Sequence, residues 1–456
     1  MVSIRPGFAA IVGGAPSIAI GLFLVALGCR ALPGEPAAQT PKLLFREFMG
    51  LNGHTVQFRP ELYRATTVLV RDYHPVEWDL GTNAASTPPF PKARNGVDWS
   101  TVYGSWKTAG LRIDASLMFE TLSKEQWGDL ATNAWAYGRR FARAFGPTAG
   151  SALVEAAEIG NEPGKFSDAD YRAMFEHMAR GIKAGDSTVK VATCALTTGK
   201  SHDYAKSVTC IQGLESLCDA LNVHTYAMLE NWPTWKRSFP EDPRLKEYVP
   251  DVQKLCDWRD AHAPGKEVWL TEFGYDASTR KPEPKGDFKD WVGVTDEQQA
   301  QWIVRSWLLF ATLPVQRAYL YFFNDDDTPQ LHGASGLTRH FKPKPAFHAT
   351  AHLLATLGDY RFRSTILDKP GEAIIREFEL GTDGKRRIWV VWSPTGTGRT
   401  ANLILPKFQG TLERAERMPL TAQAAPRVPL PESNSKGTGV EVPIDESPLY
   451  LFLKLP

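Results

Sequence analysis

Eight short apolar runs alternate with helix-forming stretches over residues 40–355, no glycine-rich phosphate turn follows an early strand, and hairpin patterning takes over after about Tyr360. Together these predict an α/β fold, a (β/α)8 TIM barrel carrying a smaller C-terminal antiparallel domain of β-sandwich type. Alternating helices favour parallel pairing, because each supplies the crossover that two parallel strands need. An open doubly wound sheet is the competing arrangement, and it lacks its phosphate turn here. The 456 residues suit a barrel of roughly 250 residues plus one smaller module.

The amino-terminal stretch reads as an address. Arg5 precedes an apolar run from Phe8 to Leu27, followed by Gly28, Cys29 and the proline-bearing segment from Ala31 to Pro41. This predicts a secretory signal over residues 1–29, a linker over 30–41, and an exported protein: secreted, periplasmic or held at the cell envelope. Ala26-Leu27-Gly28-Cys29 is similar to a bacterial lipoprotein cleavage box, so a lipid anchor at Cys29 stays open beside plain secretion. Pro16 and several glycines argue against a mature membrane span, and no second apolar run of about 18 residues follows. Beyond Cys29, an oxidising compartment allows Cys194, Cys210, Cys218 and Cys256 to pair in three ways; four buried free thiols are the equal alternative.

The barrel is expected over residues 42–357. Its strands are assigned near Phe45–Leu51 and to Thr67–Val70, Leu111–Leu117, Val154–Gly160, Val189–Ala195, Ala220–Tyr226, Glu267–Phe273 and Arg317–Phe323. Helices are expected over Glu125–Phe145, Ser167–Ala184 and Thr295–Leu313. In the last, Thr295 and Gln298 form a capping pair, and Ile303, Trp307 and Phe310 supply an apolar stripe. Residues 358–456 are expected to form the β domain, with Ala373–Leu380 and Arg387–Trp392 flanking the turn signal Asp383-Gly384, further runs at Leu403–Leu405 and Leu449–Leu455, and a long loop over Thr421–Gly439.

Composition narrows the function classes. Hydrophobic residues make up 43% and charged residues 23%, with 14 Trp, 13 Tyr and 23 Phe, a balance that supports a large folded core. The 52 basic and 51 acidic residues leave a net charge of +1, which offers no broad attraction to nucleic acid or anionic lipid.

In a barrel the carboxyl ends of the strands surround the active site. Two acids stand at such ends: Glu162 in Asn161-Glu162-Pro163 and Glu272 in Thr271-Glu272-Phe273-Gly274, on the fourth and seventh strand candidates. With these motifs the sequence resembles the clan A glycoside hydrolases over roughly residues 40–355. The resemblance implies a retaining enzyme with Glu162 as acid/base and Glu272 as nucleophile. The chemistry stands beside it: retention needs one protonated carboxyl for the leaving oxygen and one ionised carboxylate for the anomeric carbon, roughly 5–5.5 Å apart. Glu155 and Glu158 are weaker candidates; Glu158 shares strand parity with Glu162, and a pairing role inside the barrel is expected of it.

The resemblance also implies that Tyr226 hydrogen-bonds the nucleophile with His224 lining the pocket, that Arg71 holds the nucleophile ionised, and that Asn161 donates to the sugar 2-hydroxyl. Asp72 and His74 are open between sugar binding and surface-loop roles. Aromatic platforms are sought among Trp78, Trp232, Trp235, Trp291 and Phe323, since sugars present apolar faces as well as hydroxyls. Clan A enzymes usually place an aromatic residue, commonly Trp, after strand eight; the corresponding stretch here is Tyr321-Phe322-Phe323-Asn324, from which Phe323 and Asn324 are taken as substrate-binding.

Asp325-Asp326-Asp327 raises calcium, but the ligand and glycine spacing of a calcium loop is missing and a solvated acidic loop is expected. No His-Glu-x-x-His motif, Gly-x-Ser-x-Gly elbow or P-loop occurs, so the expected chemistry needs neither metal nor cofactor. The reading is a glycosidase whose partner is a carbohydrate substrate, without a nucleic-acid partner. The alternatives are an inactive carbohydrate-binding barrel and a transglycosylase using the same site.

Overall fold

The structure is a computed structural model that describes residues 42–430 and 439–456. The expected signal, Cys29 and the linker lie outside the described residues, as does part of the expected loop over Thr421–Gly439. Among the described residues, no helix is long and apolar enough to cross a membrane.

Eight parallel strands close into a barrel: β1 (Met49–Asn52), β2 (Leu69–Pro75), β3 (Arg112–Met118), β4 (Ala156–Ile159), β5 (Lys190–Thr197), β6 (Ala220–His224), β7 (Glu267–Phe273) and β8 (Arg317–Leu320). Each pairs with the next in chain order, and β8 returns to β1, with Leu51 opposite Leu320. The first strand begins later than expected, since Phe45–Phe48 forms a helical turn ahead of it.

The longer helices are α1 (Trp99–Thr108), α2 (Leu130–Phe145), α3 (Asp168–Gly185), α4 (Tyr248–His262), α5 (Asp296–Phe310) and α6 (Pro345–Leu357). The helix expected to run unbroken over Glu125–Phe145 is divided at Gly128, whose φ of 55° suits glycine, and Asp129 then caps α2 through the Thr132 N–H. Thr295 and Gln298 make the expected capping box at α5. Almost all of α5 is buried rather than a single stripe, because the helix lies between the barrel and the C-terminal sheet.

Inside the barrel, the floor is Trp269 against Ala156, Ala192 and Ala220, with the Arg317 guanidinium 4.3 Å from the Trp269 ring and paired to buried Asp114. Three alanines leave room for one indole, which closes the bottom and leaves the opposite end open. Glu155 lies outside this interior and pairs with Arg112.

Beyond α6, a five-stranded antiparallel sheet forms from β9 (Tyr360–Lys369), β10 (Ala373–Leu380), β11 (Asp383–Trp392), β13 (Thr411–Arg417) and β15 (Leu449–Lys454), and β12 (Ala401–Ile404) pairs with β14 (Glu441–Ile444). The β10–β11 hairpin turns at Gly381-Thr382, two residues before the expected signal, and Asp383 already pairs with Leu380. Ile375, Trp389, Val391 and Leu451 on one sheet face meet Val442 and Ile444 of the ribbon, which makes the sandwich. The other face, with Phe378, Ile388, Trp392 and Tyr450, belongs to the barrel's own hydrophobic cluster. All four described cysteines are buried free thiols.

Candidate active site

Strand alternation sets which side chains enter the barrel. On β2, Arg71 and Tyr73 point inward. Asp72 and His74 point away: both are fully buried, Asp72 accepts from the Thr55 N–H and the Tyr103 hydroxyl, and His74 lies between Tyr103 and Asp79. Neither meets the cleft, so their expected sugar-binding and surface-loop roles are both corrected. A barrel strand has two buried faces, and these side chains occupy the outer one.

Arg71 is 1% exposed and lies beneath the open end of the barrel. Its guanidinium donates to both oxygens of Glu158 at 2.7 and 2.8 Å, to Asn52 Oδ1 at 2.9 Å, to Asn161 Oδ1 at 2.8 Å and to Glu272 Oε1 at 3.3 Å. Its guanidinium is therefore held among side chains beneath the cleft, Glu272 among them. Glu158 is the pairing partner that its parity implied. Burial pushes the Glu158 carboxyl up while Arg71 opposes the shift.

Two irregularities aim the carboxylates. Between β6 and β7 the register slips, Val223 facing Leu270 and His224 facing Glu272. The extra residue in β7 lets Thr271 and Glu272 both reach interior partners, Thr271 with Asn222 and Glu272 with Arg71. After β4, Gly160 adopts φ 83°, and a Cβ there would stand 2.5 Å from the Phe119 ring. Glycine thus permits the turn that delivers Asn161 and Glu162 to the mouth.

Glu272 accepts from Tyr73 Oη at 2.6 Å and from Tyr226 Oη at 2.8 Å. Burial opposes its ionisation, but His224, Arg71 and the two hydroxyls prevail and hold the carboxyl below its ordinary value. His224 Nδ1 lies 2.9 Å from Glu162 Oε1 and 3.6 Å from Glu272 Oε2. Burial lowers the proton affinity of His224, and the Glu272 and Glu162 charges more than offset it, so its pKa is raised. Glu120, at the end of β3, accepts from the backbone N–H of Asn161 at 2.7 Å and of Glu162 at 3.1 Å. Burial raises its pKa to about 7.

One oxygen of Glu162, one nitrogen of His224 and one oxygen of Glu272 lie within 4.8 Å of one another, facing a cleft of about 540 Å³. These are donor types that bind metals, but the surroundings suit a proton better than a cation. The His224 pKa is raised, the Arg71 guanidinium lies 3.3 Å from Glu272, and both Glu272 oxygens accept tyrosine hydroxyls.

The cleft brings together Asn161, Glu162, His224, Tyr226 and Glu272 of the expected residues, along with Trp235. The other platform candidates lie elsewhere. Trp232 is 69% exposed and does not line the cleft, Phe323 packs edge-on against Phe58 and Tyr63 in the core, Trp291 is buried, and Trp78 stacks on Trp99. Asn324 is also outside the cleft, its Oδ1 accepting from Thr338 and the Phe341 N–H. Tyr321 is the residue of its segment that faces the cleft. The acidic loop is not solvated throughout: Asp325 pairs with Lys344 and Asp327 with Arg339, which occupies the oxygens that calcium would need.

Tyr73, Glu120, Tyr321 and His332 are site residues that sequence reasoning missed. Parity with Arg71 marks Tyr73 once β2 is extended by three residues. Glu120 and His332 lie on turns and carry no periodic signal.

No family model matches the chain, and no curated protein matches it. Solved structures do share its fold. They include a family 39 glycoside hydrolase from the gut symbiont Bacteroides cellulosilyticus WH2, at 17% identity over 91% of this chain and 83% of that chain, with TM-score 0.66. A glucosidase from Croceicoccus marinus matches at 14% identity over 91% and 98%, with TM-score 0.59. A family 30 endoxylanase from Clostridium papyrosolvens C71 matches at 11% identity over 91% and 97%, with TM-score 0.55. At these identities the likeness is one of fold: a barrel of the glycoside hydrolase kind with an added β domain.

Proposed function

We propose that this protein is a retaining glycoside hydrolase that cleaves O-glycosidic bonds of an oligo- or polysaccharide by double displacement, with Glu162 as acid/base and Glu272 as nucleophile. The observation that carries this reading is the closeness of the two carboxylates, one oxygen of each lying within 4.8 Å of the other at an open cleft. Retention needs roughly 5–5.5 Å, whereas inversion needs roughly 6.5–9.5 Å to admit a water.

The hydrogen bonds support a place for the proton. Thr271 Oγ1 donates to Asn222, so it accepts from His224 Nε2–H at 3.0 Å. One proton is then shared between His224 Nδ1 and Glu162 Oε1, 2.9 Å apart. In the first step the ionised Glu272 attacks the anomeric carbon, the bond to the leaving oxygen breaks, and Glu162 delivers the shared proton to that oxygen. Glycosylation removes the Glu272 charge, which had raised the proton affinity of His224. That loss lowers the proton affinity of His224, and Glu162 takes a proton from the water that releases the sugar. Arg71 holds Asn161 Oδ1, leaving the amide NH2 of Asn161 for the 2-hydroxyl.

Glu162 is 26% exposed and Glu272 only 7%, which suits an acid that must meet leaving group and water and a nucleophile that meets one carbon. An activated fluorosugar of matching configuration is expected to label Glu272, read by peptide mass; a label on another carboxylate overturns the assignment. A polysaccharide panel with linkage analysis identifies the substrate. Binding without turnover indicates a binding barrel, and sugar-to-sugar products indicate a transglycosylase.

A further inference from the structure

Among the described residues the Glu162 carboxyl hydrogen-bonds one side chain, His224, and it is 26% exposed, so the backbone beneath it does much of the aiming. That backbone is the turn after β4. Gly160 takes its left-handed φ of 83°, and the Asn161 carbonyl accepts from the Ala195 N–H of β5 at 3.2 Å, while the Glu162 carbonyl bonds only within the turn, to the Gly164 N–H. Successive N–H groups beside a left-handed residue form a concavity that suits an acceptor oxygen. Here that oxygen is Glu120 Oε1, which takes the Asn161 N–H at 2.7 Å and the Glu162 N–H at 3.1 Å.

Glu120 is itself on a pinned turn, Phe119–Thr121, directly after β3. The Trp127 indole donates to the Phe119 carbonyl at 3.1 Å, and the Thr121 hydroxyl donates to the Met118 carbonyl and accepts from the Glu77 N–H. Phe119 is fully buried, and a Cβ on Gly160 would stand 2.5 Å from its ring and 3.4 Å from Glu120 Oε2. The two turns are fitted to each other, and Glu120 is the polar link between them.

Resting on the function proposed above, we infer that Glu120 is a positioning residue: by accepting from both N–H groups it holds the Asn161–Glu162 turn where the Glu162 carboxyl meets His224 and the leaving oxygen. Glu120 does not line the cleft, so it acts through Glu162 and not on substrate. Asn161 keeps two further ties, to Arg71 through its side chain and to Ala195 through its carbonyl, so Glu162 depends more on this link than Asn161 does. Reach matters here more than charge. The second oxygen of Glu120 is buried and meets no donor among the described residues, and burial raises the pKa to about 7. A protonated carboxyl still offers a carbonyl oxygen, which accepts the same two bonds.

The test uses the full chain and two variants that separate reach from charge. Glu120→Asp keeps the charge and withdraws the oxygen by one methylene, whereas Glu120→Gln keeps the reach and removes the charge. The substrates are phenyl and 2,4-dinitrophenyl β-glucosides and β-xylosides. Glu120→Asp is expected to lower kcat/KM about tenfold or more for the phenyl glycosides, whose leaving group needs the proton, and by less than about threefold for the dinitrophenyl ones. Glu120→Gln is expected to stay within about threefold of the unaltered protein on both. A second measurement needs no substrate: the Glu162 charge helps to raise the His224 pKa, together with Glu272 and against Arg71. Ring-nitrogen NMR should therefore find that pKa lowered by about one unit in Glu120→Asp and restored in Glu120→Gln. Equal losses for both leaving groups, a Glu120→Gln variant as impaired as Glu120→Asp, or an unmoved His224 pKa overturns the positioning role and leaves the hydrolase intact. No turnover of any of the four glycosides by the unaltered protein, together with no labelling of Glu272, overturns the hydrolase, and the His224 titration then decides by itself whether Glu120 places Glu162.

Discussion

His224 Nδ1 stands 2.9 Å from Glu162 Oε1, and its Nε2 stands 3.0 Å from Thr271 Oγ1, so in the proposed mechanism Glu162 and the imidazole share one proton. On the proposed mechanism cleavage needs that proton, so kcat/KM is expected to fall as pH rises through the His224 pKa. With His224 raised by the Glu272 and Glu162 charges against the effect of burial, that limb lies above the ordinary imidazole value of about 6.5. His224→Asn is expected to move the limb to lower pH and to reduce kcat/KM at pH 7 by about a hundredfold. A basic limb that stays in place contradicts the shared proton.

Tyr73 and Tyr226 act on the opposite limb. Each hydroxyl donates to Glu272 and favours its ionised form, which the proposed attack requires. A hydrogen bond to a charged group contributes about 1.5–3 kcal/mol, so Tyr73→Phe should raise the nucleophile's pKa by about one to two units. The acidic limb of kcat/KM then shifts upward by that amount. A pH–rate profile measures it, and an unchanged acidic limb with a lower plateau speaks for a steric role instead.

Glu120 predicts a stability signature. Burial raises its pKa from 4.5 to about 7, so between those values the folded state holds a proton that the unfolded state has lost. Stability from this group is therefore present at low pH and is lost as pH rises across that window, by at most about 3 kcal/mol. Glu120→Gln keeps an oxygen acceptor for the Asn161 and Glu162 N–H groups and removes the titration. Relative to the unaltered protein, its Tm should gain steadily between pH 5 and 7 and level off above. Parallel Tm curves would show that Glu120 does not titrate there.

Trp392 joins the sheet to the barrel. It is fully buried in the barrel's cluster, and its Nε1 donates 2.8 Å to Glu241, which also pairs with Arg305 of α5. Trp392→Ala is expected to cost about 3–5 kcal/mol, as large aromatic truncations in cores do. Because one cluster spans sheet and barrel, calorimetry should show a single unfolding transition, shifted downward in the variant. Two separated transitions would contradict the shared core.

The legible part of this protein was periodic. Apolar runs located all eight barrel strands to within a few residues, and the Thr295–Gln298 pair located the start of α5, because burial on the faces of strands and helices repeats along the chain. Helices α1, α4 and α6 escaped notice: α1 carries Trp, Tyr, Ser and Thr in place of strong helix formers, α4 has a proline in its first turn, and α6 opens on Pro345. Strands β9 and β13 were missed because their outward faces are dense in charge, and β14 because it is short and carries Pro443.

Local sequence thus determined which residues would end the fourth and seventh strands, and with them the two glutamates, since strand identity depends on neighbours a few positions away. Tertiary structure decided everything that depends on distance between strands: the bulge that turns Glu272 inward, the Arg71 junction, the turn of Phe323 into the core and Tyr321 toward the cleft, and the placing of His224 against Glu162. Barrel closure brings together residues 62 and more positions apart, and only closure sets which of them lie within hydrogen-bond reach.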